Sequence, residues 1–157
     1  MQCSFMNTHL KPPSGLFDGP LHLFPVRVYY EDTDLSGIVY HANYLKWLER
    51  ARSDMLRLLG IDQRQAVDDG VGYYAVADLS IRYIAPARLD DEVVVVSQPA
   101  ELGAASVRLH QRAMRGNDML ADAAIRVGFI SPDGRPRRQP QGWRQAFQTL
   151  LAAKDAA

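Results

Sequence analysis

The hydrophobic period changes once along this chain, and that change limits the folds open to it more than any other feature. His41, Tyr44, Leu45, Leu48, Ala51, Met55 and Leu58 recur at steps of three and four, which puts them on one helical face. Lys46, Glu49, Arg50, Ser53, Asp54 and Arg57 fall on the opposite, polar face, and Gly60 follows as a terminator. A helix from Ile38 to Leu59 is expected, about 33 Å long at about 1.5 Å per residue. From Gly72 onward the period is two. Leu79, Ile81 and Tyr83 alternate with polar neighbours, Val93 to Val96 is an unbroken β-branched run, and Val107/Leu109 and Ile125/Val127/Phe129 alternate again. Breaks fall at Ala85-Pro86-Ala87, Gln98 to Gly103 and Arg115-Gly116-Asn117-Asp118, the last with the composition of a tight hairpin turn.

Leu21 to Tyr30 adds a fifth strand before the helix, and its Pro25 suits a bend or an edge. The four later strands, joined by short turns, suggest an antiparallel meander. Asp62 to Asp69 reads as a short turn or helix, Ser131 to Gln141 as a Pro/Gly loop, and Trp143 to Leu151 as a terminal helix. The expectation is an α+β domain in which a five-stranded antiparallel sheet curls around one long central helix. The valine run offers apolar side chains to both faces of its strand, so a homo-oligomer is expected to cover the outer one.

The 157 residues suit one domain, placed at 21–157, behind a flexible extension over residues 1–20 that carries Pro12, Pro13, Gly15 and Gly19. Lys plus Arg and Asp plus Glu are both 18, so no net field recruits nucleic acid or an anionic membrane. The single cysteine, Cys3, can form no intrachain disulfide. Met1 to Asn7 lacks the basic and apolar parts of a secretory signal, no stretch has the length of a transmembrane helix, and a cytoplasmic location is expected.

Chemistry concentrates between the first strand and the helix, in Tyr29-Tyr30-Glu31-Asp32-Thr33-Asp34-Leu35-Ser36-Gly37-Ile38-Val39-Tyr40-His41. A helix N-terminus offers free N–H groups to a developing oxyanion, and an adjacent carboxylate can serve as base or nucleophile. The same residues suit helix capping, a core histidine, or a metal site built from Asp32, Asp34 and His41. Spacing leaves these readings open.

The run VRVYYEDTDLSGIVYHANYLKWLERAR closely resembles the opening of the Tol-Pal-associated (YbgC-like) acyl-CoA thioesterases, grouped with the 4-hydroxybenzoyl-CoA thioesterases in the hot-dog fold. IRYIAPARLDDEV and PRRQP match further on, and the likeness spans about Phe24 to Gln148. It implies a cytoplasmic hydrolase of acyl-CoA needing no metal or organic cofactor, assembled as a tetramer of two dimers and linked to the Tol-Pal envelope system. It places the catalytic aspartate on Asp34 and a histidine that orients substrate, water or leaving group on His41. Backbone N–H groups around Val39, Tyr40 and His41 would then polarise the thioester carbonyl. Leu35-Ser36 departs from the smaller or more polar pair of relatives, which bears on acyl preference. The basic CoA loop of the hydroxybenzoyl branch is missing at Glu101 to Ala105. Arg82, Arg88, Arg137 and Arg138 are the candidates for the CoA phosphates, since guanidinium forks suit phosphate oxygens. Glu49 is expected to pair with an arginine on the helix surface. Rival readings are a hot-dog dehydratase or hydratase and a non-catalytic acyl-binding scaffold.

Overall fold

The computed structural model describes residues 10–156; Cys3 and the Met1 to Asn7 segment lie outside it. The elements are β1 (Leu16–Asp18), β2 (Leu21–Arg27), α1 (Asn43–Leu58), α2 (Gln63–Asp68), β3 (Tyr73–Tyr83), β4 (Glu92–Leu102), β5 (Ser106–Arg115), β6 (Asp118–Ile130) and α3 (Gln141–Asp155). The strands form one antiparallel sheet in the order β1-β2-β4-β5-β6-β3. Tyr44, Trp47, Leu48, Ala51 and Met55 of α1 press into the sheet's core face against Val93, Val95, Leu109 and Ile125. Burying each large side chain in that set contributes about 1.5–3 kcal/mol.

The α+β architecture is as expected, with four corrections. The sheet has six strands, because Leu16–Asp18 pairs with Leu21–Leu23. Gly19, at φ +57°, supplies the left-handed first position of the turn that the hairpin needs. The supposed extension over residues 1–20 therefore contains structure from Leu16 onward. Second, only β4, β5 and β6 form a meander. β3 lies beyond β6, and the loop after it crosses the ends of β6 and β5, where Ile84 and Ala85 donate to Leu120 O and Arg115 Nη1 donates to Pro86 O.

Third, α1 starts at Asn43 rather than Ile38. Ile38 and Val39 are β-branched and extended, bridged to Arg88 and Thr33, and this non-local pairing overrides a helical start. Fourth, the helix faces differ from the simple wheel. Trp47 is buried, Leu45 and Leu58 are exposed, and Asp54 is buried on the supposed polar face. Its carboxylate accepts from Ser14 Oγ (2.6 Å) and Gly15 N (2.9 Å) and meets His22 Nε2 at 2.7 Å. Burial by itself would raise its pKa, but these bonds outweigh burial and hold it below the ordinary value. Glu49 accepts from Ser53, while Arg52 donates to Gln111 Oε1 at 2.9 Å instead of pairing with Glu49.

The Gly116-Asn117 hairpin lies where expected, with Arg115 opposite Asp118 and Gly116 at φ +58°. The helical segment after Gly60 is real, and the terminal helix is longer than expected at both ends.

Candidate active site

The acidic stretch folds as a compact hairpin ahead of α1. Thr33 bridges to Val39, Asp34 N donates to Ile38 O (2.9 Å), and Gly37 N donates to Asp34 O (3.0 Å) with Gly37 at φ +78°. A side chain at Gly37 would strain this turn, which explains a glycine two residues before Val39.

The two aspartates have separate duties. Asp32 is buried; its Oδ2 accepts from Tyr29 N (2.8 Å) and its Oδ1 from Asn43 Nδ2 (2.7 Å). Both oxygens are thus engaged in tying the hairpin to the first turn of α1. Asp34 is exposed, and its Oδ1 accepts from Ser36 N (2.8 Å) and from the Ser36 hydroxyl. The Ser36 hydroxyl bond is the main cause of a pKa held below the ordinary carboxylate value, with the Ser36 and Ile38 backbone and the charge of His41 adding to it. Asp34 is not a helix cap: the cap position is Ala42, without a side-chain bond. Among the described residues, no three His, Cys, Asp or Glu side chains converge as a metal site would require.

His41 is exposed, off the core stripe expected for it, with its ring between Tyr40 (centroids 4.6 Å) and Tyr83 (6.1 Å). Two of the three expected backbone N–H groups are already engaged. Val39 N already donates to Ala87 O and Tyr40 N to Asp32 O, each at 2.9 Å, so neither can serve a substrate carbonyl. The N–H groups of His41 and Ala42 have no backbone acceptor among the described residues. The Tyr40 carbonyl accepts from Asn43 N (2.9 Å), and in a trans peptide this turns His41 N–H the opposite way.

Arg88 joins this group; its backbone bridges to Ile38, its side chain is exposed, and Leu89 beside it lines the shallow cleft formed with Tyr30, Thr33, Asp34, Leu35 and Gly37. Asp91 is occupied by Arg115 Nη1 and Arg88 N, both at 2.8 Å, which fixes the loop. Arg82 sits on β3 near the same end, 3.6 Å from Asp122. Arg137 and Arg138 do not belong to this end of the molecule. Arg137 N donates to Phe129 O, beside the Tyr73 end of β3, and its Nη1 donates to Val71 O (2.7 Å) and Gly70 O (3.3 Å). β3 puts about 33 Å between that end and Tyr83. The residues that periodicity could not single out are Asn43, Ser36 and Tyr83, whose contacts cross between elements or fold back within the turn.

Comparison with known proteins gives the family. Residues 36–121 match the family model of the thioesterase superfamily. The chain is 42% identical to "Acyl-CoA thioesterase YbgC" of Haemophilus influenzae, over 81% of this chain and 94% of that one. It is 37% identical to "Acyl-CoA thioester hydrolase YbgC" of Escherichia coli, over 77% and 91% respectively. The crystal structure of a probable thioesterase from Bartonella henselae superposes with a TM-score of 0.73 at 34% identity, covering 76% of this chain and 99% of that one. A hairpin of this sequence, set at the head of a helix laid across an antiparallel sheet, together with these matches over most of the chain, makes the protein a member of the thioesterase superfamily.

Proposed function

We propose that the protein hydrolyses acyl-CoA thioesters to free acid and CoA, with Asp34 as the catalytic carboxylate. The observation that carries the residue assignment is the contrast between the two aspartates: Asp32 is buried with both oxygens engaged, whereas Asp34 is exposed and feels the charge of His41, whose N–H has no backbone acceptor among the described residues. The thioester oxygen takes the His41 N–H, which strengthens as negative charge develops. Asp34 accepts a proton from water, the oxygen adds to the carbonyl carbon, and collapse breaks the C–S bond. The proton held by Asp34 then passes to the departing thiolate. Direct attack by the carboxylate is the variant of the same chemistry. The His41 ring orients the substrate or the leaving group.

Arg88 is the best-placed contact for the CoA phosphates, with Arg82 at the same end of β3. Arg137 and Arg138 reach this site only from a second copy. The reading is supported by the free edge of β3, where Tyr73, Val76 and Tyr83 are exposed. Two such edges paired antiparallel bring the Tyr73 end of one copy to the Tyr83 end of the other. A tetramer of two such dimers also covers the outer valine face; light scattering that reports only a 17.6 kDa species at micromolar concentration contradicts it. No described helix is long and apolar enough to cross a membrane, and a cytoplasmic enzyme of the Tol-Pal system is the setting we infer from the resemblance.

Release of free thiol from a panel of acyl-CoAs tests the activity. Turnover on at least one chain length is expected; no thiol from any, with binding retained, indicates a scaffold, and water elimination without thiol release indicates a dehydratase.

A further inference from the structure

We propose that Tyr83 is a positioning residue that aims the backbone donors at the head of α1. The proposal rests on the active site placed at Asp34 and His41, and adds a second donor, Ala42 N–H, to it.

The first turn of α1 leaves one carbonyl outside the helical ladder. Leu45 N donates to Ala42 O at 3.1 Å, a tight turn, so the His41 carbonyl lacks the helical donor it would otherwise receive. Tyr83 Oη supplies one, at 2.7 Å from His41 O. Within that trans peptide the N–H of Ala42 points opposite to the carbonyl, so the phenol fixes where Ala42 N–H points. A hydrogen bond accepted by the carbonyl also polarises the N–H of the same peptide. Tyr83 thus acts on the Ala42 donor as Asn43 N acts on the His41 donor.

The phenol is itself held. Its ring meets His41 edge-on at 6.1 Å and Tyr44 at 5.4 Å, while Tyr44 Oη accepts from Ala87 N at 3.1 Å. β3 ends at Tyr83, so the strand terminus delivers the hydroxyl to the helix head. Partial burial of the phenol raises the Tyr83 pKa, which keeps it a donor through the neutral range.

Tyr83→Phe keeps the ring and removes the hydroxyl. Losing a direct oxyanion donor costs roughly 10²–10³ in kcat, and a residue that acts through the peptide should cost about 10-fold. The expected result is that kcat falls about 10-fold, KM stays within about twofold and the melting temperature holds. Binding of an acyl-CoA thioether lacking the carbonyl should also be unchanged. An unchanged kcat overturns the proposal, as does a fall matched by equal loss of thioether affinity or by a lower melting temperature. Asp34→Asn measured alongside separates the two readings: an inactive Asp34→Asn with a wild-type Tyr83→Phe removes only the role of Tyr83, whereas wild-type turnover in both removes the site itself.

Discussion

Asn43 Nδ2 donates to Asp32 Oδ1 at 2.7 Å, and this bond joins the acidic hairpin to the first residue of α1. Asp32 also receives Tyr29 N, so one buried carboxylate holds three segments of chain in place. Asp34 and His41 both lie in the stretch of chain that this tie closes, between Asp32 and Asn43. The role we propose for it is therefore geometric.

Asn43→Ala leaves the Asp32 carboxylate buried without one of its donors. A loss of about 1–3 kcal/mol is expected. For a chain of this size that lowers the melting temperature by roughly 2–4 °C for each kcal/mol. Thermal unfolding measures it, and a melting temperature equal to wild type would show that the tie contributes nothing.

Ser36→Ala tests the electrostatics of the proposed catalytic carboxylate. The Ser36 hydroxyl bond is the largest cause of the lowered Asp34 pKa, so its removal raises that pKa toward the ordinary value. Asp34 must be ionised to act, so the acid limb of kcat/KM moves to higher pH in the variant while rates near pH 8 stay within about twofold. A limb that does not move would place the titrating group elsewhere.

The hairpin turn at Gly116-Asn117, the alternation of the long strands and the long helix were all legible, because each follows from neighbours within a few residues. What was not legible came from contacts distant in sequence. Ile38 and Val39 look helical by spacing, but Arg88 and Ala87 draw them into extended pairing and delay the helix to Asn43. Asp54 falls on the polar side of the wheel, yet Ser14, Gly15 and His22 fold over it from another part of the chain. The place of β3 at the far edge likewise depends on a loop that crosses two strands. At the site, the resemblance pointed to Asp34 and His41, whereas the exclusion of Val39 and Tyr40 as donors required the hydrogen bonds of the fold. Ser36 reads in sequence as a departure bearing on acyl preference; in the structure its hydroxyl is on Asp34.

Arg88→Ala should raise KM for acyl-CoA about 10-fold with little change in kcat, since a phosphate contact acts on ground and transition states alike. The rise should shrink as salt is added, because the contact is exposed and screened. Steady-state kinetics at two ionic strengths decide it; an unchanged KM assigns the residue to the surface alone.

The most direct test of the account is kcat for Asp34→Asn on one good acyl-CoA, with its melting temperature. Asparagine retains an oxygen to accept from Ser36, and position 34 neither caps α1 nor is buried, so the fold should be unaffected. It cannot take a proton from water or attack as a carboxylate does. The expected result is a kcat that falls roughly 10²–10⁴-fold at an unchanged melting temperature. Turnover near wild type would contradict it and leave the thioesterase chemistry of this chain without Asp34.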